Sequence, residues 1–130
     1  MELRFFKICS AKADMVKRRP TLRFNGDWLA NSGFEPDTLV TAQFSNGEAV
    51  FRPHDPGRES TQSVLAKTDQ IGFKLLRVIS CVSKGKRRPV LNISGYWLND
   101  FGFVVGGVIV VMAGTGLIKV KVLDTGPFGF

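Results

Sequence analysis

Apolar residues recur at every second position in two short stretches of the chain. Leu22 and Phe24 form this pattern in the first stretch, and Leu91 and Ile93 form it in the second. A period of two predicts a strand with one buried face and one face toward solvent. The intervening positions, which we expect to face solvent, are Thr21, Arg23, Val90 and Asn92.

Both stretches belong to a repeat. Residues 17–52 align with residues 86–121 at a constant offset of 69, with eleven identities in thirty-six positions. The identical pairs are Lys17/Lys86, Arg18/Arg87, Arg19/Arg88, Pro20/Pro89, Leu22/Leu91, Gly26/Gly95, Trp28/Trp97, Leu29/Leu98, Gly33/Gly102, Phe34/Phe103 and Gly47/Gly116. Self-similarity at a fixed spacing indicates that one structural unit occurs twice.

The shared residues predict a local structure for each copy. A proline fixes φ and keeps the preceding arginine extended, so the basic arm runs directly into the strand. A glycine then ends the strand, a Trp-Leu pair starts a short helix, and a second glycine caps the helix C-terminus before a phenylalanine. These positions are Pro20, Gly26, Trp28, Leu29, Gly33 and Phe34 in copy one, and Pro89, Gly95, Trp97, Leu98, Gly102 and Phe103 in copy two. We expect both tryptophans to lie in the core.

A hairpin is predicted after each helix. In copy one, strands at 38–44 and 48–52 flank Ser45-Asn46-Gly47, and Asn-Gly is a strong hairpin signal. In copy two, strands at 108–112 and 117–122 flank residues 113–116.

The first strand of each unit lies upstream of the basic arm. FFKICSA (5–11) resembles LLRVISC (75–81) at an offset of 70, so one inserted residue separates this strand from the arm. The predicted organisation is therefore repeat one at 1–52, a polar linker at 53–70, repeat two at 71–122 and a tail at 123–130.

Composition narrows the class of protein. Residues 101–118 carry no charge and reach the lower length for a membrane span, but the equivalent residues 32–49 contain three acids. We therefore expect strands there, no membrane association and a cytoplasmic location. Cys9 and Cys81 lie in no CxxC or Cys/His cluster. We expect both to be buried and reduced, with a disulfide between them left open.

The positive charge is concentrated before the two prolines. Six basic and two acidic residues give residues 1–19 a charge of +4, and six basic residues give residues 71–88 a charge of +6. The whole chain carries +7, so the remainder carries −3. Two basic segments brought together by a two-fold repeat suit a phosphate backbone, of DNA or of RNA.

The frame P-x-L-x-x-x-G-x-W-L-x-x-x-G-F resembles the SymE-like toxin family, bacterial proteins of the AbrB/MazE/SpoVT swapped-hairpin superfamily. The resemblance covers residues 19–52 and again 88–121, whereas a typical member has one such unit and a tail. It implies a mainly β protein: a swapped-hairpin barrel formed as an intramolecular pseudo-dimer of two tandem repeats, each with one short helix. Two chains that exchange halves are the alternative. It also implies contacts with nucleic acid from Lys17, Arg18, Arg19, Arg23, Lys84, Lys86, Arg87 and Arg88.

Two other functions remain open at this stage. The family resemblance allows an endoribonuclease, for which His54 and Asp55 are the candidate groups. The residues give catalysis little support, because the lone histidine lies in the linker and no carboxylate recurs in both copies. No metal-ligand spacing or cofactor motif is present, so neither a metal nor a cofactor is expected. The second alternative is a protein-interaction module of a toxin–antitoxin or phage system.

Overall fold

The structure is a computed structural model that describes residues 2–10, 19–55 and 57–124. The described residues are mainly β. They contain strands β1 (Glu2–Lys7), β2 (Cys9–Ser10), β3 (Pro20–Asn25), β4 (Leu39–Ser45), β5 (Glu48–Pro53), β6 (Phe73–Arg77), β7 (Ile79–Ser83), β8 (Lys86–Ser94), β9 (Val108–Gly114) and β10 (Leu117–Asp124). Helices α1 (Asp27–Asn31) and α2 (Thr61–Lys67) and a 3₁₀-helix (Tyr96–Phe101) connect them.

The strands form two antiparallel sheets. One has six strands in the order β1-β9-β10-β5-β4-β6, and the other has four in the order β2-β3-β8-β7. If each strand is replaced by its equivalent in the other copy (β1 by β6, β2 by β7 and so on), each sheet has the same strand order read from the opposite edge. The first strand of each copy pairs with the hairpin of the other copy, β1 with β9 and β6 with β4. Both sheets therefore contain strands from both copies.

The chain passes between the sheets at two equivalent corners. Ile8 lies between β1 and β2, and Val78 lies between β6 and β7, and both are buried. Ile8 exchanges backbone hydrogen bonds with Gly106 and Gly107, while Val78 exchanges them with Asp37 and Thr38. Ile8 and Val78 are 70 positions apart, the same offset that relates the strands before the two basic arms. The described ladders end at β1 and β6 in one sheet and at β2 and β7 in the other, so they form two open sheets where a closed barrel was expected.

The core lies between the sheets and contains an aromatic cluster. Phe44 makes edge-on contacts with Phe51, Phe103 and Trp97, at ring-centroid distances of 5.8, 5.4 and 5.0 Å. Phe24 joins the cluster through Phe51. Full burial of a side chain of this size stabilises the fold by about 1.5–3 kcal/mol. The core thus unites residues of both copies.

The predicted helix ends are confirmed. Gly33 and Gly102 have φ values of 93° and 88°, a left-handed conformation that glycine adopts without a steric penalty. The backbone N–H of Phe34 donates to the carbonyl of Leu29, and that of Phe103 donates to the carbonyl of Leu98. Both phenylalanines are fully buried. The same cap therefore closes both helices.

Three finer expectations are wrong. Cys9 and Cys81 form no disulfide and are exposed on the outer face of the smaller sheet, Cys9 opposite Thr21 and Cys81 opposite Arg88. Val90 is buried despite its outward position in β8. The second hairpin turns at Thr115-Gly116, since residues 113 and 114 still pair with β10.

The region between the copies contains helix α2. The Ser60 hydroxyl caps it by accepting a hydrogen bond from the backbone N–H of Ser63 at 3.1 Å. Val64 is fully buried, and the helix packs against β6. None of the helices in the described ranges has the length and apolar character needed to cross a membrane.

Candidate nucleic-acid interface

The strands β7 and β8 form a hairpin that we call the basic hairpin, residues 79–90. Its turn is Lys84-Gly85, and both residues have positive φ, as a type I′ turn requires. Val82 and Arg87 lie opposite each other on the inner face of the four-stranded sheet. Further along β8 this face points to the core, but both of these side chains are exposed. The hairpin therefore extends beyond the core and presents its cations to solvent.

The cations of this hairpin lie on both of its faces. Residues directly opposite across antiparallel strands share a face, and every second residue of a strand returns to that face. Lys86 and Arg88 consequently share the outer face of the four-stranded sheet with Asn92, which lies opposite Arg23. Arg87 is on the other face. Lys84 lies at the turn and makes no ion pair with any residue in the described part of the chain.

Two acidic residues of copy one contact the basic hairpin. Asp27 Oδ2 lies 3.7 Å from Lys86 Nζ and also 3.7 Å from Arg88 Nη1. Asp37 Oδ2 accepts a hydrogen bond of 2.9 Å from Arg87 Nη2. About half or more of each aspartate side chain is exposed, so each pair stabilises the fold by about 1 kcal/mol or less. These contacts orient the cations. Because each pair is weak, a competing anion can replace the aspartate at a small cost in free energy.

An open cavity separates α1 from the basic hairpin. Its volume is about 580 Å³, and Asp27, Glu35, Lys86 and Arg87 line it. Acids and bases thus face each other across solvent here, with room for a phosphate group between them.

The remaining basic residues expected at the site divide into two groups. Lys17 and Arg18 lie outside the described residues. Arg23 is exposed on the outer face of β3, while Arg19 is half-buried directly before that strand. The Nε atoms of Arg19 and of its equivalent Arg88 are both buried without a hydrogen-bond partner among the described residues. The two arginines before the prolines therefore share an environment.

Charge on the four-stranded sheet has one sign. Its strands read CS, PTLRFN, ISCVS and KRRPVLNIS, with four cations and neither aspartate nor glutamate. The strands of the six-stranded sheet hold seven cations and three acids, so their net charge is also +4, but over 39 residues rather than 22. The smaller sheet therefore has the higher density of positive charge and carries it without an acid in its strands.

Both tryptophans pack with a cation, a feature that the sequence patterns did not reveal. The Arg4 guanidinium lies 5.0 Å from the Trp28 ring, and Lys74 Nζ lies 4.4 Å from the Trp97 ring. Trp28 is 8% exposed, whereas Trp97 is half-buried. Both tryptophans pack against core aromatic residues, as expected.

The candidate catalytic groups do not form an acid–base pair in the described residues. His54 Nε2 lies 3.3 Å from Thr61 Oγ1. Asp55 instead accepts a hydrogen bond from the backbone N–H of Gly57 and pairs with Arg58. The described residues contain no cluster of His, Cys, Asp and Glu that could hold a metal ion.

The contacts of Asp27 and Asp37 with the basic hairpin were not predicted from the sequence. Asp27 aligns with Tyr96 and Asp37 with Gly106, so neither recurs in the other copy. This difference between two otherwise similar copies is the sequence signal that could have identified both aspartates. Comparison of the chain with protein-family models, curated proteins and solved structures finds no match.

Proposed function

We propose that this protein binds DNA or RNA through its phosphate backbone, using the basic hairpin as the main contact. The observation that carries this proposal is the exposed hairpin with Lys84, Lys86, Arg87 and Arg88 on a sheet whose strands contain no acid. Arg23 on the outer face and Arg19 directly before β3 extend this surface. Lys17 and Arg18, which lie outside the described residues, stay expected contacts from the sequence.

The energetics favour exchange of carboxylates for phosphates. A surface ion pair is worth about 0–1 kcal/mol, so phosphate oxygens displace Asp27 and Asp37 at small cost. Each neutralised phosphate releases condensed counterions, which adds a favourable entropy that the internal pairs do not supply. Arginine adds two-pronged hydrogen bonds to phosphate oxygens. Affinity of this origin falls steeply as salt rises.

The scaffold of this proposal is a swapped-hairpin pseudo-dimer built from two SymE-like units. Two observations support it. The sheets keep their strand order when the copies are exchanged. Equivalent residues also lie opposite each other at the centre of each sheet, Arg23 with Asn92 and Val50 with Lys119. Both pairs fit one approximate two-fold axis.

The test is a titration of labelled duplex DNA and of single-stranded RNA with purified protein across a salt series. We expect binding of at least one polymer, with log K falling linearly against log salt. The RNA is recovered and examined on a gel, where we expect it to be intact. Cut RNA after stringent purification would favour an endoribonuclease, and absence of binding at low salt would contradict the proposal.

A further inference from the structure

The four-stranded sheet narrows to two strands at its centre, as far as the described residues show. Strand β2 pairs with β3 at Pro20–Thr21, and β7 pairs with β8 at residues 86–90. Each flanking strand begins just after a corner residue that bonds to the other sheet, so neither reaches the central row. In that row Arg23 lies opposite Asn92. The centre is therefore a two-stranded ribbon, an element that the major groove of B-form DNA admits.

Two polar side chains occupy the outer face of this ribbon. Arg23 and Asn92 are both exposed, and neither makes a hydrogen bond or an ion pair within the described part of the chain. They share this face with Lys86 and Arg88. Arg88 precedes Asn92 by four residues, about 13 Å along the strand, and Arg19 precedes Arg23 by the same number. Cations suited to phosphates thus flank a pair with free hydrogen-bonding groups.

The two residues are of the types that distinguish base pairs. Arginine forms two hydrogen bonds with O6 and N7 of guanine, and asparagine forms two with N6 and N7 of adenine. We infer that Arg23 reads a guanine and Asn92 an adenine in the major groove of duplex DNA. Base reading of this kind rests on the proposed function, because the phosphate contacts bring the duplex to the sheet. Double-stranded RNA does not suit it, since side chains cannot read the deep, narrow major groove of an A-form helix.

The pair makes the DNA site asymmetric. Arg23 and Asn92 are equivalent in the repeat and lie opposite each other on the approximate two-fold axis. They therefore face equivalent positions in the two halves of a duplex whose own two-fold axis coincides with it. A palindrome has the same base pair at both positions, so it satisfies one residue and not the other. Two identical chains would present one residue twice, whereas this chain carries a different residue in each copy.

Selection of bound duplexes from a library with a randomised centre is the first test. We expect the full chain to enrich a site with a G·C pair in one half and an A·T pair at the symmetric position of the other half. Replacement of either base pair should lower the affinity by about 5-fold to 150-fold, the range for loss of a two-pronged base contact. An enriched palindrome would overturn the inference.

Variants that make the pair symmetric are the sharper test. Arg23→Asn should change the enriched site to a palindrome with A·T at both positions, and Asn92→Arg should change it to one with G·C at both. The matched controls are Lys119→Val and Val50→Lys, which make the same changes of charge in the pair on the axis of the six-stranded sheet. Both controls should keep the wild-type preference. A preference that Arg23→Asn and Asn92→Arg leave unmoved would overturn the inference.

The outcomes separate base reading from phosphate binding. Equal affinity for all duplex sequences, with a steep salt dependence, would overturn base reading and leave the proposed function in place. Binding of single-stranded RNA alone would have the same consequence. Absence of binding to any of these polymers at low salt would overturn both. Arg23 and Asn92 are exposed, so we expect their variants to melt at the wild-type temperature, which a thermal scan checks.

Discussion

The two copies share a buried frame but differ in the charges that surround the basic arms. Phe34 and Phe103 are both fully buried after the same glycine cap. By contrast, Asp27 and Asp37 contact the arm of copy two, and their equivalents in copy two are Tyr96 and Gly106. Internal positions are thus fixed by packing, while surface positions are free to set how strongly an arm is neutralised.

Asp37 shows this difference most clearly. Its φ is 71°, and Gly106 at the equivalent position has a φ of 88°. Both residues donate a backbone hydrogen bond to the corner residue of the other copy, Val78 and Ile8 respectively. An aspartate in this left-handed conformation is uncommon and costs more than glycine. Its carboxylate accepts the hydrogen bond from Arg87, a contact that a glycine could not make.

The largest effects should come from the shared frame. Phe34→Ala and Phe103→Ala should each lower the free energy of unfolding by about 3–5 kcal/mol, because both remove a fully buried ring. Equilibrium unfolding in urea measures both values. Costs that differ by more than the usual spread for buried phenylalanine would show that the copies do not contribute equally to the core.

The next effect concerns the aspartate that bridges two cations. Asp27→Asn removes the negative charge near Lys86 and Arg88 and should tighten nucleic-acid binding by up to about fivefold, the equivalent of about 1 kcal/mol. The reverse change, Tyr96→Asp, introduces an acid at the equivalent position of copy two and should weaken binding. Fluorescence anisotropy with a labelled duplex measures both. Tighter binding of the Tyr96→Asp variant would contradict the prediction that an acid beside a basic arm weakens nucleic-acid binding.

A smaller effect is expected at Asp37. Asp37→Gly introduces the residue of copy two, releases Arg87 and relieves the left-handed aspartate. We expect affinity to rise less than for Asp27→Asn, since one cation is released. Stability should change by less than about 1 kcal/mol, because glycine suits the conformation but gains more freedom on unfolding. A stability loss of several kcal/mol would show that the ion pair holds the corner together.

The smallest effect involves the helix that covers the β6 edge. Lys67 donates a hydrogen bond to Glu59 and lowers the pKa of that carboxyl below its ordinary value. The unfolded chain therefore binds a proton more readily, so this stabilisation is present at neutral pH and is lost as pH falls through the lowered pKa. Glu59→Gln should remove this dependence. Thermal melts at neutral and acidic pH should show a smaller pH shift for the variant, and equal shifts would exclude the contribution.

The sequence predicted what depends on local patterns. Alternation at Leu22 and Phe24, the Asn-Gly turn and the glycine caps each act within a few residues, and the structure has all of them. The repeat extended these predictions to the second copy. Local sequence patterns were therefore sufficient to predict the strands and short helices that surround the site.

Contacts between distant segments could not be predicted in the same way. Arg87 and Asp37 are 50 residues apart and belong to different copies. Cys9 and Cys81 are exposed because the strand register places them on the outer face of the smaller sheet, a property that composition does not encode. Helix α2 buries only Val64, so its apolar pattern is too weak to distinguish a helix from a linker.

The salt dependence of binding by two matched double variants tests the central claim most directly. Arg87→Ala with Arg88→Ala removes two cations of the basic hairpin, while Lys119→Ala with Lys121→Ala removes two from the outer face of the six-stranded sheet. We predict that the first pair weakens binding to all sequences and lowers the slope of log K against log salt by up to about 2, and that the second leaves it unchanged. Unchanged affinity in the arginine variant, or equal losses in both variants, would contradict the assignment of the basic hairpin as the binding surface.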